Sequence, residues 1–204
     1  VAMDRIMPPP IIIAAGGQSG RMGGAKPLRT LGGRALIDHA IGWAQACSDV
    51  VAVAVREAGQ FAATDVPVLP DRQHGIGPIS ALDSAFRLGA GLGRSHVLLI
   101  GCDQPFLPAD LALRLAERIG ACGVAMPVSQ GRDQPLASLW RVDQPALAQY
   151  LADGGRSLWR LADQLNAARI DWPPDPAGDP FANLNDPGAL AEAEARLRAR
   201  GADA

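Results

Sequence analysis

The chain has little of what marks a secreted, membrane-bound or nucleic-acid-binding protein. Its three cysteines include no C-x-x-C pair, which argues against a disulfide framework or zinc site and favours a reducing compartment. No apolar run is long enough to cross a bilayer, and the first ten residues, VAMDRIMPPP, lack the apolar core of a secretion signal. The 19 basic and 21 acidic residues are scattered, so no basic surface for nucleic acid is expected. We therefore expect a cytoplasmic protein with neither a membrane nor a nucleic-acid partner.

Aromatic residues are also scarce, at 4% of the chain, whereas apolar residues of all kinds make up 48%. That mix is typical of a globular α/β core built from Ala, Leu and Val. A chain of 204 residues fits one domain with an ample core. We expect residues 1–10, which end in three prolines, to form a flexible tail, and residues 11–200 to form the domain.

Strand and helix patterns alternate along the chain, which predicts βαβ units and a mainly parallel sheet. Apolar runs predict strands at 11–14, 50–55, 67–69, 97–100 and 123–128, with 136–141 pairing nearby. Helical spacing or a proline start predicts helices at 35–47, from 78 onward, and at 108–119, 144–152, 157–167 and 187–200. Residues 171–180 are expected to be an excursion without regular structure. We predict a single-domain, doubly wound, Rossmann-like α/β fold, with its ligand crevice at the carboxyl ends of the strands.

The most informative stretch is residues 11–28, IIIAAGGQSGRMGGAKPL. Three isoleucines suit a buried parallel strand, and the small residues after them let backbone approach a ligand closely. The N–H groups of a glycine-rich loop, together with Arg21 and Lys26, suit a polyphosphate. The loop is not G-x-x-x-x-G-K-[ST], and the absence of G-x-G-x-x-G argues against a dinucleotide-dependent oxidoreductase. The stretch therefore predicts an enzyme that handles a nucleoside triphosphate, and the alternative is an ordinary strand-to-helix turn.

The pattern A-A-G-G-x-S-x-R-M-G-x-x-K at residues 14–26 resembles the signature loop of the MobA-like nucleotidyltransferases. Within that family it is most similar to the molybdenum cofactor guanylyltransferases. Further segments follow in the family's order, so the resemblance covers residues 11–190 and implies a nucleotidyltransferase fold. These segments are Gly77–Ala81, Cys102–Pro105, residues 131–140, Gly155–Leu158 and Phe181–Pro187.

Asp103 lies in the segment C-D-Q-P, directly after the apolar strand predicted at 97–100. A carboxylate at a strand end suits Mg²⁺, which prefers one or two protein carboxylates together with phosphate oxygens and water. The segment resembles the family's metal-binding motif, C-D-x-P, and this favours a ligand role over simple capping of the next turn. We expect Asp103 to hold a Mg²⁺ cofactor between the reacting phosphates.

The resemblance implies a nucleotide-binding set spread over three loops. Asp71 precedes Gly77-Pro78-Ile79-Ser80-Ala81, which stands where the family has G-P-L-A-G against base and ribose, although the final glycine is absent. His74, in the same loop, is expected to be solvated. The implied nucleotide-binding residues are Ala14, Ala15, Gly16, Gly17, Ser19, Arg21, Lys26, Asp71, Gly77, Pro78 and Asp103. The implied catalytic residues are Arg21, Lys26 and Asp103.

Two later segments are implied to meet the acceptor. Gly155-Arg156-Ser157-Leu158 matches a G-x-R-S-L segment, so the resemblance assigns Arg156 to a phosphorylated acceptor; a surface arginine at a helix start is the alternative. The segment at 181–187 resembles F-x-N-x-N-T-P, with Asp186 in place of threonine. Asn183 and Asn185 are implied to orient the acceptor or to reach the metal through water. The alternative here is an Asx-type turn that caps the last helix.

Departures from the family pattern bear on the choice of nucleotide. Gln134 replaces the histidine of H-P-x-x-A-L, Ala25 stands where guanylyltransferases commonly have Asp, and residues 53–56, V-A-V-R, stand where they often have N-x-N-R. The triplet A-A-G at 14–16 is also typical of cytidylyl transfer.

The resemblance implies that GMP passes from GTP to the terminal phosphate of molybdopterin-bound molybdenum, with release of pyrophosphate. It further implies transient contact with molybdoenzymes or other cofactor-biosynthesis proteins. One alternative is a transferase of the same fold that uses CTP. The other, from a different class, is a non-catalytic nucleotide- or cofactor-binding protein.

Overall fold

The computed structural model describes residues 7–16, 26–60, 64–73 and 75–202. Within the predicted tail, Pro10 is buried, and its carbonyl accepts a hydrogen bond from the N–H of Leu98 at 2.8 Å. No helix in these described stretches is both long and apolar enough to cross a bilayer.

The strands are β1 (Ile11–Ala14), β2 (Thr30–Leu31), β3 (Arg34–Ala35), β4 (Val51–Val55), β5 (Val68–Pro70), β6 (His96–Gly101), β7 (Val124–Ser129), β8 (Arg132–Asp133), β9 (Ala137–Arg141) and β10 (Ala168–Asp171). The helices are α1 (Leu36–Cys47), α2 (Ile79–Gly91), α3 (Leu111–Arg118), α4 (Gln144–Ala152), α5 (Leu158–Gln164) and α6 (Pro187–Ala202), with a 3₁₀ turn at Lys26–Leu28.

The central sheet has the order β10-β7-β9-β6-β1-β4-β5, with β8 paired to β7. Strand β9 is antiparallel to β6 and β7, and β8 is antiparallel to β7, whereas the other neighbours in this order are parallel. The prediction of a mostly parallel α/β sheet is therefore confirmed. Because β1 lies between β4 and β6, the loop that follows β1 emerges between the loops that follow its two neighbours.

The three isoleucines of β1 explain how both faces of the sheet are covered. Ile11 and Ile13 point to one side and pack in a cluster with residues of α1 and α3, while Ile12 points to the other side and packs with residues of α2, α4 and α5. All three are fully buried. Side chains alternate along a strand, so an uninterrupted apolar run is the pattern expected where helices cover both faces.

A third apolar cluster joins the end of the chain to two loops near the carboxyl ends of the strands. Its buried members are Leu31, Leu36, Phe106, Leu184 and Ala193. On the surface of this cluster, Gly32 N–H in the β2–β3 turn donates to Glu194 Oε1 of α6 at 2.8 Å. The Arg196 guanidinium lies 4.2 Å from the centre of the Phe106 ring. Helix α6 thus holds the β2–β3 hairpin and the loop after β6 together.

Several predicted boundaries are wrong for identifiable physical reasons. The helix expected at 157–167 is the shorter α5, because Asn166 adopts a left-handed backbone (φ 57°) that ends it and the chain then enters β10. The helix expected from 108 begins at Leu111, since Pro108 forms a turn whose carbonyl accepts from Leu111 N–H. The β2–β3 hairpin was not predicted, although Gly32 and Gly33, both with positive φ, carry the sequence signal of a tight two-residue turn.

The burial of His96 predicts how the stability of the fold depends on pH. It begins β6 opposite Arg141 of β9, and burial, with a smaller contribution from Arg141, lowers the pKa of its imidazole below 6.5. Below that pH the unfolded chain binds a proton that the folded protein resists, so the free energy of unfolding falls as the pH falls. We expect the wild type to lose more stability than His96→Gln between about pH 7 and pH 5. Urea unfolding followed by tryptophan fluorescence at both pH values measures this, and parallel pH dependences would contradict it.

Candidate active site

The loops that follow β1, β4 and β6 meet at one edge of the sheet. Ala14, at the end of β1, is in register with Ala54 of β4 and Gly101 of β6. Just beyond the strands, Ala15 N–H donates to the carbonyl of Ala54 at 2.9 Å, and Cys102 N–H donates to the carbonyl of Ala14 at 3.3 Å. The loops predicted to hold the nucleotide and the metal therefore begin side by side.

Gly16 is required by a close approach between two of these loops. A Cβ built on Gly16 would lie 3.0 Å from the backbone nitrogen of Arg56 and 3.5 Å from Oδ2 of Asp71. Because this contact is with backbone, a larger residue would require the loop after β4 to shift. The Asp71 carboxylate consequently lies beside the start of the glycine-rich loop.

Gln60 fastens the loop after β4 to the loop after β1. Its Nε2 donates to the carbonyl of Ala15 at 2.9 Å, and its Oε1 accepts from the N–H of Arg56 at 3.1 Å. Both contacts are with backbone, so they hold the two loops at a fixed distance. Sequence reasoning did not find Gln60, because a single glutamine in a turn carries no signal.

Asp71 is held against the beginning of α2. Its N–H donates to the carbonyl of Val55 at 2.7 Å, and its Oδ2 accepts from the hydroxyl of Ser80 at 2.7 Å. Gly77 has a φ of 78°, a conformation that favours glycine, and Pro78 immediately precedes α2. Asp71, Gly77 and Pro78 are thus brought together. Ser80 also belongs to the candidate site through its bond to Asp71, a role that the sequence motif did not predict.

The Asp103 carboxylate lies over the end of β6. Gly101 N–H donates to the carbonyl of Leu136, and a Cβ built on Gly101 would lie only 2.6 Å from Asp103 Oδ1. In that position Asp103 occupies the space that a side chain at residue 101 would need. No group of three or more His, Cys, Asp or Glu side chains suited to a metal occurs among the described residues.

The segment at 181–185 is docked directly on the Asp103 loop. Leu184 N–H donates to the carbonyl of Asp103 at 3.0 Å, and Gln104 Nε2 donates to the carbonyl of Phe181 at 3.2 Å. Asn183 and Asn185 flank Leu184, so the backbone that carries them passes beside Asp103, which lies far away in the sequence. Their neighbour Asp186 caps α6, because its Oδ1 accepts from Ala189 N–H.

Arg156 lies in a different place, at the connection between α4 and α5. Its guanidinium donates to the carbonyls of Leu151 and Gly155 at 3.2 and 2.6 Å. The cavity there has a volume of about 400 Å³. It is lined by Tyr150, Asp153, Gly154, Gly155, Arg156, Ser157, Arg160 and Gln164.

The side chain of Gln134, which replaces the family's histidine, points toward the backbone of the loop that contains it. It is 9% exposed, and its Nε2 donates to the carbonyl of Arg132 at 3.2 Å. Next to it, Asp133 accepts from Trp159 Nε1 and pairs with Arg169. The Arg169 guanidinium donates hydrogen bonds to the carboxylates of Asp133 and Asp163, and these bonds raise its pKa. This network fixes the turn between β8 and β9, and sequence reasoning did not find it.

Some of the predicted site residues fall in parts of the chain that the structure does not describe. Gly17, Ser19, Arg21, Ala25 and His74 lie outside the described residues, and so does the side chain of Lys26.

The sheet is mostly parallel, the sequence after its central strand is rich in glycine, and a carboxylate follows the adjacent strand. This combination is typical of nucleotide-binding α/β enzymes. A family model described as the MobA-like NTP transferase domain matches residues 11–168. The molybdenum cofactor guanylyltransferase of Rhodobacter capsulatus is 40% identical over 190 residues, which cover 92% of this chain and 95% of that protein. The protein of the same name from Rhizobium leguminosarum bv. trifolii (strain WSM2304) is 36% identical over 197 residues, covering 92% of each. The chain belongs to the MobA-like NTP transferase family, as its motifs predicted, and is a nucleotidyltransferase.

Solved structures agree on the fold. Molybdopterin-guanine dinucleotide biosynthesis protein A from Archaeoglobus fulgidus superimposes with a TM-score of 0.75 at 19% identity, over 93% of this chain and 98% of that one. The 2-C-methyl-D-erythritol 4-phosphate cytidylyltransferase of Thermus thermophilus gives a TM-score of 0.70 at 19% identity, over 94% and 100%. These likenesses confirm the predicted Rossmann-like nucleotidyltransferase fold, and at such low identity they bear on the fold alone.

Gly101 provides a test of this geometry. In Gly101→Ala the added methyl group must displace the Asp103 carboxylate, so we expect nucleotidyl transfer to fall by roughly tenfold or more while the melting temperature changes little. The matched control is Gly91→Ala at the end of α2, where a Cβ meets nothing within 4 Å, and it should leave turnover unchanged. Pyrophosphate release and thermal melting are the measurements. Unchanged turnover in Gly101→Ala would contradict this placement of Asp103.

Proposed function

We propose that this protein transfers GMP from GTP to the terminal phosphate of molybdopterin-bound molybdenum, releases pyrophosphate and forms the guanine dinucleotide cofactor. Relatives at 36–40% identity that bear the name molybdenum cofactor guanylyltransferase support this reaction. The observation that carries the proposal is the junction at Asp103. Its carboxylate adjoins the end of β6, beside the start of the glycine-rich loop, and its carbonyl holds the segment with Asn183 and Asn185.

The chemistry that we infer is an in-line displacement at the α-phosphorus of GTP. An oxygen of the acceptor phosphate forms the new O–P bond while the bond to the departing pyrophosphate breaks. Because that oxygen is already anionic, no strong general base is needed, and catalysis consists of positioning and charge neutralisation. We assign the triphosphate to the backbone of residues 14–17, Ser19, Arg21 and Lys26.

A divalent cation fits the residues that surround Asp103. Asp103 Oδ1 and Gln104 Oε1 both lie near the position that a Cβ of Gly101 would take, and within the described part of the chain Oε1 has no hydrogen-bond partner although Gln104 is only 3% exposed. Oxygen donors of this kind suit Mg²⁺, whose other ligands would be phosphate oxygens and water. When bound, Mg²⁺ supplies positive charge that stabilises the phosphates as they react. We therefore propose Mg²⁺ as the cofactor and Asp103 as its carboxylate.

The acceptor is proposed to approach from the side of the segment at 181–185. Asn183 and Asn185 stand on that side of Asp103, where their amides can orient a phosphate. We assign Arg156 to a more distant part of the acceptor, since its cavity is built by α4 and α5 and its guanidinium bonds to local carbonyls. The proposal includes a cytoplasmic location and transient contact with molybdoenzymes or other proteins of cofactor biosynthesis.

Asp103→Asn tests the reaction. Removing one charge from the cation site should cost roughly 3 kcal/mol or more of transition-state stabilisation, which is more than about a hundredfold in rate. Pyrophosphate release with GTP, Mg²⁺ and the molybdopterin acceptor is the measurement. Asp110→Asn is the control, since Asp110 is exposed and its side chain does not cap α3. A folded Asp103→Asn protein with near-normal release would sink the assignment.

The choice of base is a separate prediction. We expect GTP to be preferred over CTP, because backbone groups in the loop that ends at Gly77 and Pro78 would remain unpaired against cytosine. Unpaired buried polar groups cost about 1–3 kcal/mol each, which corresponds to a preference of roughly ten- to a hundredfold. The measurement is the ratio of kcat/KM for GTP to that for CTP with the same acceptor. A ratio in favour of CTP would reassign the protein to cytidylyl transfer and leave the phosphate and cation assignments in place.

A further inference from the structure

Gln104 contains a buried oxygen that its surroundings do not satisfy. The residue is 3% exposed, its Nε2 donates to the carbonyl of Phe181 at 3.2 Å, and its Oε1 has no hydrogen-bond partner among the residues that the structure describes. A buried acceptor without a donor reduces stability, so such an atom in a folded protein calls for an explanation. A donor that arrives with a ligand is one explanation, and a cation is another.

The direction of this oxygen is fixed by the other end of the amide. If nitrogen and oxygen were exchanged, an amide oxygen would face the carbonyl oxygen of Phe181, and the hydrogen bond would become a repulsion. In the orientation that bonds Phe181, Oε1 lies 3.4 Å from the point where a Cβ of Gly101 would be. Asp103 Oδ1 lies 2.6 Å from the same point.

The two oxygens therefore share one small region at the end of β6. The Asp103 carboxylate can reach this region because residue 101 has no side chain, and the region adjoins the end of β1, whose Ala14 is in register with Gly101. A carboxylate oxygen and an amide oxygen that face the same region are both hard donors, which Mg²⁺ and Mn²⁺ accept.

We propose that Gln104 Oε1 is a second protein oxygen of the divalent-cation site, and that it faces the cation or a water molecule of its hydration shell beside Asp103. This inference rests on the proposed function, which supplies the cation. A neutral amide adds an oxygen without adding negative charge, so the attraction of the site for the phosphates is preserved. Through Nε2 the same side chain also holds the segment at 181–185 in place.

The competing explanation is that Gln104 acts only as a tether through Nε2. Two substitutions separate the alternatives. Gln104→Met keeps the length of the side chain and removes both the donor and the oxygen. Gln104→Glu keeps an oxygen in place and removes the donor to Phe181. A tether predicts a loss in both variants, at least as large in Gln104→Glu because its second oxygen would face the carbonyl of Phe181, whereas a cation ligand predicts opposite results.

The measurement is the factor by which Mg²⁺ raises the affinity for GTP, obtained by isothermal titration calorimetry with and without the cation. No acceptor and no turnover are needed. We expect Gln104→Met to reduce this factor by about tenfold, the size of one hydrogen bond to a charged group, and Gln104→Glu to keep or increase it. Gln134→Met is the control, since it removes a buried glutamine whose Nε2 also bonds a backbone carbonyl, and it should leave the factor unchanged.

A double-mutant cycle keeps the test decisive if Gln104→Glu fails to fold. When both oxygens serve one cation, Gln104→Met should reduce the factor much less in an Asp103→Asn background than in the wild type. Equal reductions in the two backgrounds, or no reduction by Gln104→Met in a folded protein, overturn this inference while GTP binding by the wild type leaves the proposed function intact. A wild type whose GTP affinity does not respond to Mg²⁺ overturns the cation assignment itself.

Discussion

The candidate site depends on two close approaches at the ends of the central strands, each of which requires a residue without a side chain. Gly16 lies against the backbone nitrogen of Arg56, and Gly101 lies against the carboxylate of Asp103. A Cβ at Gly16 would press on the backbone of the loop after β4, and a Cβ at Gly101 would displace the Asp103 carboxylate. The two glycines therefore determine how closely the loops approach at the candidate site, and the buried isoleucines of β1 hold that strand in place.

Contacts from distant parts of the chain close the site around this centre. Gln60 bonds the carbonyl of Ala15 from the loop after β4, and Ser80 holds Asp71 from the first turn of α2. Gln104 joins the Asp103 loop to the segment at 181–185. Each of these side chains bonds a group in another loop, so the loops form one unit. A unit of this kind is suited to a reaction whose catalysis consists of positioning.

The sequence predicts the fold well because alternating strand and helix patterns, and an uninterrupted apolar run at 11–13, reflect burial on both faces of a sheet. It identifies Asp103 and Asp71 as candidate site residues because each lies in a motif of contiguous residues. It does not predict the contacts that Gln60 and Gln104 make with other loops. Their partners Ala15 and Phe181 are 45 and 77 residues away, and no local pattern indicates such pairs. Strand β10 was missed for a related reason: its four residues, A-R-I-D, form a strand only by pairing with β7.

The docking of α6 has a consequence for the order in which the protein becomes functional during synthesis. The bond between Gly32 N–H and Glu194 spans 162 residues, and Arg196 reaches the ring of Phe106 from the same helix. A nascent chain can build the sheet from strands that have left the ribosome, but it cannot close the loop after β6 against α6 until α6 has emerged. Until residues 187–202 have emerged, the loop after β6, which carries Asp103, lacks the contact that Arg196 makes with Phe106, so translation itself delays completion of this region of the fold.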